Sequence, residues 1–196
     1  DTHPRFSPDG KRISWISMER DGYEADLKRL FVQDLKTGQK TFLTDGFEYD
    51  VDELQWAANS QSIFFLSTKH AEAQLWEIAL KGRKIRQITT GMHDYTSLDV
   101  QGGKILAGRQ SYIEPTDLYL VDVKTGAAKQ LTAENKSTLD GLAPISVEKR
   151  WVKTTDGGNM LVWVVLPPNF DKTKKYPALL FCQGGPQSPV SQFFSY

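Results

Sequence analysis

The sequence has a single cysteine, no net charge and no long apolar run. Cys182 alone excludes an internal disulfide, and its place in the run "ALLFC" (178–182) predicts a buried thiol acting as a small hydrophobe. Twenty-four Lys and Arg balance 24 Asp and Glu, so neither a nucleic-acid footprint nor a basic membrane-binding patch is expected. The longest nearly apolar stretch, "MLVWVVLPP" (160–168), falls well short of the roughly 20 residues of a membrane helix, and no membrane insertion is expected. His3, His70 and His93 have no metal-ligand spacing with another His or Cys, and each reads as a loop or surface residue. No metal or organic cofactor is expected. No G-x-S-x-G elbow occurs in the 196 residues. The chain opens on Asp1 rather than Met, as a cut or processed protein would.

What is present is β structure in repeats. Hydrophobic residues make up 39% and aromatics 11%, ample for a packed core. Three segments superpose without gaps: "LFVQDLKTGQKTFLT" (30–44), "LWEIALKGRKIRQIT" (75–89) and "LYLVDVKTGAAKQLT" (118–132). Each reads as strand, Lys-containing turn, then a second strand ending in an aliphatic residue and Thr. Gly38 and Gly126 supply the positive φ of the turn, and Gly82 sits one place earlier, which predicts a different turn. Upstream, "FSPDGKRISWIS" (6–17) matches "WAANSQSIFFLS" (56–67) at an offset of 50, and "LDVQGGKILAGRQ" (98–110) is a weaker third copy. Four short strands at a period in the low forties are the signature of propeller blades. The expected blades are 1–46, 47–91 and 92–136, within a unit of 1–140. Propellers close with 4 to 8 blades, so three read as the last part of one, and the exposed blade edges suggest self-association.

After about residue 140 the pattern changes. "VEKRWVKTTDGGNMLVWVVLPPNF" (147–170) reads as a hairpin about Asp156–Asn159, and "ALLFC" as a strand buried on both faces, as in an α/β sheet. The turn "SPDGK" (7–11) resembles the propeller repeat of TolB and of the prolyl oligopeptidase family of serine peptidases. The succession "TDG", "PPNFD", "KYPALL" and "QGGP" resembles the opening of that family's α/β-hydrolase domain, in the acylaminoacyl-peptidase and dipeptidyl-peptidase branches. The stretch "MERDGYEADLKRLF" (18–31) is similar to dipeptidyl peptidase 5-like members. The fold class is therefore expected to be mainly β: a partial propeller, then a linker and the first hydrolase strands over 141–196.

The resemblance implies a peptidase acting near the N-terminus of oligopeptides, with no cofactor, and a periplasmic or extracellular bacterial location. It implies that Gln183, Gly184 and Gly185 form the oxyanion-hole loop, where glycine lets backbone N–H groups approach the substrate carbonyl. Family members often carry His or Tyr in place of Gln183. Ser188 and Ser191 lack the strand–elbow–helix setting of a nucleophile. The catalytic residues are accordingly expected beyond Tyr196, and the chain alone is expected to be inactive. A peptide's free amine calls for a carboxylate, which the acidic loops "ERDGYEAD" (19–26) and "DGFEYDVDE" (45–53) offer, with Glu24 as the candidate. The alternative is a non-catalytic TolB-like module that docks protein or peptide partners.

Overall fold

The computed structural model describes residues 1–182 and 188–195. Three antiparallel meanders follow one another. The first sheet runs in the order β1 (Thr2–Phe6), β2 (Arg12–Ser17), β3 (Arg29–Asp34), β4 (Lys40–Phe42). The second is β5 (Asp52–Trp56), β6 (Ser62–Lys69), β7 (Glu72–Ala79), β8 (Ile85–Gln87). In the third, a two-residue strand β9 (Asp94–Tyr95) pairs with β11 (Lys104–Ser111), beside β10 (Asp99–Gln101), β12 (Glu114–Asp122) and β13 (Ala128–Gln130). A single-turn helix, α1 (Lys136–Leu139), leads to the hairpin β14 (Ser146–Lys153) and β15 (Asn159–Leu166).

The sheets stack face to face. Side chains alternate across a strand, so the unbroken run Ile63–Leu66 in β6 serves two cores. Ile63 and Phe65 join Trp76, Ile78, Ile16, Leu30 and Val32 between the first and second sheets. Phe64 and Leu66 join Leu75, Ile105, Ala107 and Val121 between the second and third. Each fully buried aliphatic or aromatic side chain contributes about 1.5–3 kcal/mol. Polar ties cross the same interfaces: Trp56 Nε1 donates to Ser14 Oγ at 2.9 Å, and Gln55 Nε2 to Asp99 Oδ1 at 2.8 Å.

The recurring threonine has a mechanical role. Thr44, Thr89 and Thr132 each accept, through Oγ1, the backbone N–H of the leucine that opens the same repeat, at 3.0, 3.0 and 2.9 Å. In the outer two copies Asp34 and Asp122 fold the turn by accepting two backbone N–H groups two and three residues on. The middle copy has Ala79 at that place, so this carboxylate is missing, and the chain forms a 3-10 turn over Lys81–Arg83 with Gly82 at φ 77°.

Two expectations fail in the last segment. Residues 178–182 form no strand, and Leu179, Leu180 and Phe181 are 101%, 87% and 78% exposed. Cys182 is likewise exposed rather than buried. Such a run becomes a buried strand only with neighbours on both edges and layers on both faces, and none lies alongside it among the described residues.

Candidate functional site

The loop joining β2 to β3 carries Glu24 and is held in shape by one residue pair. Arg20 donates its backbone N–H to Asp26 Oδ2 at 2.6 Å and Nε–H to Oδ1 at 3.0 Å, and its guanidinium lies 3.6 Å over the Tyr23 ring. This charge-assisted fork fixes the loop and holds the Asp26 carboxyl below its ordinary value. The loop from β4 to β5 is tied to it through Lys28, whose N–H donates to Asp50 Oδ1 and whose Nζ donates to Asp52 Oδ1, both at 2.8 Å. The Asp52 contact raises the Lys28 ammonium above the usual lysine value.

The two acidic loops thereby close one side of a cavity of about 680 Å³. Its other side is Ser188, Pro189 and Ser191, with Thr68 from β6 and Tyr49 completing the lining. Among the described lining residues, Glu24, Glu48, Asp50 and Asp52 stand with one cation, Lys28, so that lining is net negative. A cavity walled by several carboxylates favours a small cation or an ammonium group.

The Ser188–Ser191 wall is held from three directions. Trp163 Nε1 of β15 donates to the Val190 carbonyl at 2.8 Å. The Tyr112 backbone N–H donates to Gln192 Oε1 at 3.4 Å, and the Tyr112 ring packs against Trp163 and Phe193. The buried Asp94 carboxylate accepts from the Ser191 hydroxyl and the Gln192 N–H. Lys149 of β14 pairs with Glu72 of β7 at 2.7 Å, which seats the hairpin on the second sheet.

Both acidic loops, Glu24 included, meet at one cavity. Gln183, Gly184 and Gly185 lie outside the described residues. The histidines divide: His3 and His70 are exposed, whereas His93 is half-buried, its ring 5.2 Å from that of Tyr95. Nothing in the sequence pointed to Asp94 or Gln192, whose roles arise from burial by distant segments.

Residues 1–108 match the model of the dipeptidyl peptidase IV (DPP IV) N-terminal region. The chain belongs to that family. It is 64% identical over 196 residues to dipeptidyl-peptidase 5 of Porphyromonas gingivalis, covering 100% of this chain and 29% of that protein. The fold is that of the acylaminoacyl peptidase of Pyrococcus horikoshii, with a TM-score of 0.78 at 21% identity over 95% of this chain and 28% of that one. The β-propeller domain of the Trilobed protease from Pyrococcus furiosus matches 65% of this chain and 36% of its own, with a TM-score of 0.53 and 20% identity. The three meanders are thus propeller blades, and the resemblance to the prolyl oligopeptidase family and its dipeptidyl-peptidase 5-like branch stands. The chain spans under a third of the length of the curated relatives it matches.

Proposed function

We propose that the full-length protein carrying this chain is a serine peptidase that removes dipeptides from short peptides with a free amino terminus. The acidic cavity takes the terminal ammonium. The observation that carries this reading is the meeting of Glu24 and the β4–β5 carboxylates with Ser188, Pro189 and Ser191, a few residues after the Gly184–Gly185 pair. An ammonium held there lies close in the chain to the loop proposed to hold the oxyanion. In this reading, holding the peptide's amino end sets how many residues leave.

In this reading the triad lies outside the 196 residues. A serine activated by a His–Asp pair attacks the carbonyl, the histidine takes the hydroxyl proton, and backbone N–H groups of the Gly184–Gly185 loop stabilise the tetrahedral oxyanion. Each such donor is worth about 3–4 kcal/mol of barrier. The same proton then goes to the leaving amine, and water releases the acyl group. The division at about residue 140 into propeller and hydrolase parts belongs to the same proposal. A TolB-like docking module is disfavoured by the hairpin β14–β15, which is seated on the blades by Lys149–Glu72 and braces the cavity wall through Trp163.

Glu24→Ala in the full-length protein tests the reading. The expected outcome is a KM for free-amine dipeptidyl amides raised about tenfold with kcat little changed, the mark of lost ground-state binding. An unchanged KM would remove Glu24 from the site.

A further inference from the structure

We infer that Asp94 is a positioning residue that locks the Ser188–Ser191 wall of the acidic cavity onto the second and third blades. The inference rests on the peptidase reading for its kinetic consequence, though not for the anchoring itself. Asp94 is 4% exposed and sits in β9, the short extra strand of the third sheet. Its carboxylate gathers donors from two places. Ala73 N–H of β7 donates to Oδ1 at 2.8 Å, and the Ser191 hydroxyl and Gln192 N–H donate from the segment that forms the wall.

A carboxylate so buried is costly unless its oxygens are satisfied, and among the described residues two of its three donors belong to the wall. Glu72, the carboxylate whose charge acts on Asp94, is engaged by Lys149 at 2.7 Å. Gln192, 1% exposed, adds the contact from Tyr112 N–H, so the residue next to the cavity wall is fully interred in the blades. If Asp94 served only its own sheet, its donors would come from the flanking strands. Instead it joins β7, β9 and the wall at one point, and Ser191 carries that restraint directly into the cavity lining.

The test uses the full-length protein with Asp94→Ala, Asp94→Asn and Ser191→Ala. Amide hydrogen exchange over residues 188–193 should quicken about tenfold in Asp94→Ala while β6 and β7 are unchanged, because the loss is local rather than global. For a dipeptidyl 4-methylcoumaryl-7-amide, KM should rise about fivefold or more, whereas kcat/KM for p-nitrophenyl butyrate, which has no amine to place, should stay within about twofold. Asp94→Asn should be intermediate, since it keeps one acceptor oxygen. Ser191→Ala removes a single hydroxyl and should show a smaller change at the same residues, which keeps the test open if Asp94→Ala does not fold. Unchanged exchange at 188–193, or equal loss on both substrates, overturns the inference. A wild type that cleaves the ester but not the dipeptidyl amide overturns the peptidase reading instead, and the exchange result still decides the anchor.

Discussion

His93 illustrates how burial sets chemistry one side chain at a time. Burial, with the Arg109 charge as a lesser cause, lowers its pKa from 6.5 to about 4. In the unfolded chain the same imidazole takes a proton near 6.5, so its contribution to stability is whole above that pH and is lost as pH falls from 6.5 towards 4. Asp34 and Asp122, whose carboxyls are held below 3.8, lose their contributions only at lower pH, so the windows separate. Replacing His93 by Gln should flatten the slope of melting temperature against pH between 6.5 and 4, measured by thermal unfolding. An identical slope in both proteins would contradict the neutral, buried imidazole. His93 had read as an ordinary loop or surface residue, because its burial comes from neighbours that spacing does not reveal. Glu24 was nameable as a candidate for a different reason: the proposed ammonium calls for a carboxylate, and the 19–26 loop is acidic. Asp94 carries no local signal, and only the meeting of β7, β9 and the 188–192 segment gives it a role.

At the scale of the element, the turns were the most legible feature, since Lys-Thr-Gly at two repeats requires positive φ at its glycine and finds it, at 73° in both Gly38 and Gly126. Equal conformation does not mean equal cost of substitution. A Cβ at Gly38 would meet only Gln33 Nε2 at 3.9 Å, whereas one at Gly126 would lie 2.2 Å from the Ile88 carbonyl oxygen of the second blade. Gly38→Ala should therefore cost about 1–2 kcal/mol for the left-handed backbone alone. Gly126→Ala should cost at least about 1–3 kcal/mol more, because it also forces two blades apart. Chemical denaturation of the two variants checks the order, and equal losses would show that the clash is relieved by local movement. The displaced middle turn was legible as a change of type, but its cause, Ala79 in place of a turn-folding aspartate, emerged only from the hydrogen bonds. The run 178–182 differs from its expected strand, because an apolar run announces that it can be buried, and nothing among the described residues covers it.

Across the whole molecule the repeat predicts its own interfaces. Ile63, Phe65 and Trp76 of the second blade are covered by the first, whereas their repeat counterparts Ile13, Trp15 and Phe31 line an open hollow of about 720 Å³, with Trp15, Phe31 and Phe42 stacked along it. Leu106 and Leu118 lie on the opposite, outer face of the third blade at 38% and 41% exposure. The stack of blades was legible because four-strand meanders recur at nearly constant spacing. Of the cavity, only the two acidic loops were legible, since no spacing in the chain shows that β2–β3, β4–β5 and residue 188 converge. The central claim is that this convergence reads a peptide's free amino end. It is tested most directly by mass spectrometry of the products that the full-length protein releases from a hexapeptide and from its N-acetylated twin. The account predicts release of the first two residues from the free peptide and little cleavage of the acetylated one. Equal processing of both, or release of a single acylated residue, would contradict it.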